Sequence, residues 1–174
     1  MLLVTGCGGS SSEVQEPDDA APVQPDIVVE GGSETVEGLF VDLTIGLNEA
    51  SKDAIVSILP PPALLKDIIV CPEGDALAGQ VEKIITELDG VMAMLAQASL
   101  TMEFSEIDLK EGSIRTYEAG ESLDDGCLAG MRLTFGMVEA SFFLTLQGKT
   151  HEQSLHFMVM QVGEEGPWFL AGKH

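Results

Sequence analysis

The repeat of apolar residues changes period once along this chain, at Ser99. Before that point Leu77, Val81, Ile84, Leu88, Val91, Leu95 and Ala98 recur at alternating steps of four and three, which lines them along one stripe of an α-helix. After it the step falls to two, beginning with Met102, Phe104 and Glu106, as side chains alternate across a β-strand. A chain that switches once from the first period to the second cannot be all-helical, all-strand or regularly alternating. Helices come first and an antiparallel meander follows, which is the order of an α+β domain with helices packed on one face of a curved sheet.

Upstream of the long stripe, Phe40, Leu43, Leu47, Ala50, Ala54 and Ile58 are spaced for a helix that breaks near Ala50-Ser51. Pro60-Pro61-Pro62 ends that segment, because proline lacks the amide donor and restricts the residue before it. A shorter helix is expected over 63–69. The stripe after it reads either as a coiled-coil seam of minimal length or, more plainly, as one amphipathic helix facing a core. Downstream, Met131, Leu133 and Phe135 alternate with Arg132 and Thr134, and Ala140, Phe142, Leu144 and Leu146 continue to a turn at Gln147-Gly148-Lys149. Leu155, Phe157 and Val159 form the next alternation, followed by the turn Gly163-Glu164-Glu165-Gly166 and a closing strand, Pro167-Trp168-Phe169-Leu170.

The ending VMQVGEEGPWFLAGKH resembles the last hairpin of nuclear transport factor 2-like domains, also called cystatin-like. The stretch LNEASKDAIVSILPPPALL resembles their first helix with its proline-bearing break. The resemblance implies a cone-shaped pocket between helices and sheet, and it leaves open a homodimer through the sheet.

Charge narrows the partners. The chain carries 29 acidic residues against 8 basic ones, a net of −21, which repels nucleic acid and disfavours direct adsorption to anionic lipid. No apolar run reaches the roughly 18 residues that span a bilayer. Residues 13–53 hold 11 of the acids and a single lysine, Lys52. From Gly8 to about Glu37, Gly, Ser, Glu, Asp, Pro, Gln and Ala dominate, and such a segment buries too little apolar surface to offset its ordering entropy. The expected organisation is therefore residues 1–6 as the remainder of a signal segment, 7–36 as an acidic tether and 37–174 as one domain. Asp26-Ile27-Val28-Val29-Glu30 is the one apolar patch in the tether and a candidate for docking.

At the head of that tether, Val4-Thr5-Gly6-Cys7 resembles the lipobox of bacterial lipoproteins, in which the cysteine sulfur is lipidated and the chain is cut before it. The resemblance implies anchoring through Cys7, since two or more acyl chains give stable attachment where one is marginal. Gly8 stands where an aspartate would retain such a protein at the inner membrane, so an outer-membrane location is implied. Export into an oxidising envelope would then pair the remaining Cys71 and Cys127 as a disulfide, pinning Val70-Cys71-Pro72 to the start of a strand at Cys127.

The chemistry-bearing motifs are few. GxSxG, HExxH, a phosphate loop and a dinucleotide fingerprint are absent, so no catalytic residue, metal or cofactor is assigned. His151 sits beside a turn and His174 ends the chain. His156 falls on the strand face shared with Met158, Met160 and Val162, opposite Leu155 and Phe157. An isomerase-like site of the resembled fold would need His156 in the pocket with an acid such as Asp42 or Glu106. Arg115, Tyr117 and Arg132 are candidates for a polar lining, and the eight methionines for either core fill or a soft cavity. Asp124-Asp125-Gly126 has the composition of a turn more than that of a calcium loop. The expected function is an envelope lipoprotein whose domain binds a protein or peptide. The alternatives are a carrier of a small hydrophobic ligand and a ketosteroid isomerase-like enzyme. His156, Arg132, Tyr117 and Met158 are the pocket candidates.

Overall fold

The structure, a computed structural model, describes residues 27, 29–72, 76–110, 112–123 and 126–173. The lipobox residues Val4–Cys7, Gly8, the tether before Ile27, Asp124-Asp125 and His174 lie outside that set. The described residues form four helices: α1 (Val36–Asn48), α2 (Lys52–Ser57), α3 (Pro62–Ile68) and α4 (Ala76–Ala98). The strands are β1 (Ile69–Val70), β2 (Leu100–Leu109), β3 (Arg115–Tyr117), β4 (Leu128–Ala129), β5 (Leu133–Leu146), β6 (Lys149–Val162) and β7 (Trp168–Lys173). The domain is α+β with an antiparallel sheet, as the change of period at Ser99 requires.

Each helix boundary has a local cause. The Thr35 hydroxyl accepts from the Gly38 amide at 3.0 Å and caps α1. Ala50, with φ of 49°, turns the chain between α1 and α2, and Ser51 Oγ caps α2 by accepting from Ala54 N at 3.3 Å. Pro62 opens α3 in the first turn, where its missing N–H costs nothing.

The main sheet runs β2-β5-β6-β7. β2 pairs with β5 from Val138 to Leu146, and β3 pairs with β5 from Leu133 to Phe135. Because β6 occupies the other side of β5 along its whole length, β2 and β3 share one edge and behave as a single strand interrupted at 110–114. Gln147 and Gly148, both at positive φ, make the two-residue turn of the β5–β6 hairpin. A separate ladder joins β1 to β4 beside the Cys71–Cys127 disulfide, whose Cα atoms are 4.2 Å apart.

Two core clusters use opposite sides of the same strands. Val138, Ala140 and Phe142 of β5 and Val159 of β6 pack with Leu39 and Phe40 of α1 and Ile58 after α2. Leu133 of β5, Met160 and Val162 of β6 and Phe169 of β7 pack with Leu64, Leu65 and Ile68 of α3 and Ala78 and Val81 of α4. The β5–β6 register is continuous, so the odd and even residues of β5 project to opposite faces. The single helix-bearing face expected from sequence is therefore shared between two faces. The reason is that α1 covers one stretch of the long hairpin and α3 with the start of α4 covers the reverse of another.

Two further differences from the sequence reading stand out. Ile84 and Val91 are 44% and 38% exposed, whereas Ala78, Val81, Leu88 and Met92 are buried, so the core-facing arc of α4 is rotated from the four-three stripe. Among the described residues, packing also reaches back to Ile27, within the segment read from sequence as tether. Ile27 and Val29 pack against the second cluster, Gly32 N donates to Ser57 O, and Ser33 exchanges two backbone hydrogen bonds with Trp168. Gly31 fits there because it sits at φ of 84° with Ser57 O only 2.7 Å from where a Cβ would stand.

Candidate functional site

The break between β2 and β3 builds the site. Ser113 N donates to Lys110 O at 3.0 Å and closes a tight turn, in which Gly112 takes φ of 79°. Ser113 Oγ accepts from Met137 N at 3.2 Å and lies 3.1 Å from Met137 O and 2.7 Å from Lys110 O. The serine hydroxyl thus accepts from a β5 amide where the edge strand is missing, and its single proton goes to Lys110 O or Met137 O. The strand resumes at Arg115, opposite Phe135.

Beside this break lies an apolar cavity of about 450 Å³. Ile69, Leu77, Leu123, Phe135, Met137 and Met158 form most of its wall; Ser113, Arg115 and Tyr117 are its polar side chains. Met137 and Met158 are directly paired across β5 and β6, and the Tyr117 ring meets the Phe135 ring edge-on at 6.0 Å. The β1–β4 ladder and the disulfide hold Ile69 in the wall, and the first turns of α4 supply Leu77. Volume and lining fall in the range of small-molecule pockets: a mainly apolar concavity with few polar groups.

One step further along the same sheet face, Glu139 pairs with His156. His156 Nε2 lies 3.2 Å from Glu139 Oε2 and 2.9 Å from Lys110 Nζ, and Lys110 Nζ is 3.5 Å from the same carboxylate oxygen. A single ring nitrogen accepts from the ammonium or donates to the carboxylate, not both at once.

Of the pocket candidates read from sequence, Tyr117 and Met158 line the cavity, and Arg115 joins them. His156 stands one residue pair outside it. Its acid neighbour is Glu139, not Asp42 or Glu106, because cross-strand pairing places residue 139 opposite residue 156, while Asp42 is half-buried on α1 and Glu106 pairs with Ser141. Arg132 does not line the cavity. It sits 3.6 Å from Glu118 and 3.5 Å from Glu164, beside the turn that Gly163 anchors on Arg132 O. Sequence reading missed Lys110 and Ser113, whose roles arise from the strand break, and held Met137 only as one of the eight methionines weighed for a soft cavity. No signal in the periodicity marks that break except Gly112. Cys7, proposed for lipidation, is outside the described residues, and among those residues no cluster of metal-binding side chains forms. No described helix is long and apolar enough to cross a membrane.

The chain matches no protein-family model, and comparisons with curated proteins and with solved structures find no match.

Proposed function

We propose that this chain is a bacterial envelope lipoprotein, anchored through Cys7 at the outer membrane and facing the periplasm or the cell surface, whose domain holds a small apolar ligand. The observation that carries the ligand reading is the 450 Å³ cavity with its six apolar wall residues. The disulfide between Cys71 and Cys127 supports export, since such bonds persist in oxidising compartments. We further propose a nuclear transport factor 2-like kind for the domain, a reading supported by its helix-then-meander order, its long β5–β6 hairpin and its short closing strand at Trp168. The pair His156–Glu139 lies outside the cavity wall, so no catalytic residue is assigned. Two measurements test the proposal. Cells fed an alkyne palmitate analogue should label the wild-type chain and not Cys7→Ser; equal labelling would refute the anchor. Native mass spectrometry of the oxidised full-length Cys7→Ser chain should show a stoichiometric small-molecule adduct or uptake of an added apolar ligand. A bare mass that persists with added ligand would refute the carrier reading.

A protein-binding role has one observation in its favour. Ile84, Val91 and Met94 of α4 are exposed, Met94 to 67%. Their replacement by lysine should abolish a partner contact without touching the cavity.

A further inference from the structure

We infer that the cavity's ligand is an amphipathic monocarboxylate, its apolar body among Phe135, Met137, Met158 and Leu77 and its head at Lys110. The inference rests on reading the cavity as a ligand site and adds the chemical class. Lys110 and Arg115 are two of only 8 basic residues in a chain with 29 acids, and both flank the strand break that forms the cavity wall. Lys110 starts the turn that carries Gly112 and Ser113 into the lining, and its ammonium reaches the Glu139–His156 pair, one step beyond Met137 and Met158 on the same face. A lysine ammonium has three donors. One goes to His156 when that ring nitrogen accepts, and Glu139 at 3.5 Å is close enough for charge attraction but long for a hydrogen bond. The side chain remains 47% exposed, so donors stay available to a head group arriving from the cavity. Glu139 opposes any anion there, which limits the preference to about one charge-assisted hydrogen bond.

The test is titration of the full-length, oxidised Cys7→Ser chain with three probes of equal length: decanoate, decanol and decylamine. Decanoate should bind about tenfold more tightly than decanol, the value of one such bond in a half-exposed setting, and decylamine should bind most weakly. Lys110→Gln should erase the difference between decanoate and decanol, and Lys110→Arg should keep the preference. Equal binding of acid and alcohol, preference for the amine, or a preference that survives in Lys110→Gln would overturn the head-group assignment and leave the cavity reading intact. If none of the three binds, the cavity reading fails and this inference with it.

Discussion

Asn48 shows how one side chain closes a structural gap. Its amide accepts from Met102 N and donates to Met102 O, both at 2.7 Å, taking the place of a neighbouring strand at the exposed edge of β2. Asn48→Ala removes both bonds and should cost about 1–3 kcal/mol in urea unfolding, since the two are partly solvated; an unchanged midpoint would mean water replaces the amide. Phe40 is the opposite case, fully buried and in ring contact with Phe104, Phe142 and Phe157. Phe40→Ala should cost about 3–5 kcal/mol by the same measurement. Phe40 was legible from helical spacing. The reach of Asn48 to a residue 54 positions away was not, because nothing local marks a polar side chain as a strand substitute.

Among the elements, the disulfide and α4 make separable predictions. Cys71 and Cys127 enclose a separation of 56 residues, for which loop-closure entropy gives about 4 kcal/mol. The double variant Cys71→Ser/Cys127→Ser should lose stability of that order in urea, and because the bond borders the wall at Ile69 it should weaken ligand binding as well. On α4, Leu88→Lys should be severely destabilising, whereas Ile84→Lys should fall within about 0.5 kcal/mol of wild type. Equal costs would contradict the rotated core arc. The period change at Ser99, the break at Ala50-Ser51 and the proline stop were readable because each depends on local backbone preference. The α4 arc was not, since the four-three stripe runs along the border between buried and exposed surface and only packing against α2 and α3 chooses the side. The division of β5 between two cores was hidden for a similar reason: apolar residues of both parities were present, and alternation alone does not say which helix lies over which face.

At the scale of the molecule, the interrupted edge strand, the stapled β1–β4 ladder and the start of α4 meet around one cavity, in a chain of net charge −21. A ligand that binds only the folded chain should raise its stability by about 2.7 kcal/mol at a hundredfold excess over Kd, read as a shift in thermal midpoint. The most direct measurement is the affinity of a neutral fluorescent apolar probe for the oxidised full-length Cys7→Ser chain. It would be compared with two cavity-filling variants, Met158→Trp and Met137→Trp, each shown by circular dichroism to be folded. Saturable one-to-one binding to the former, lost or weakened at least tenfold in both variants, is the predicted result. Absence of saturable binding, or equal affinity in all three chains, would contradict a ligand site between β3, β5 and β6.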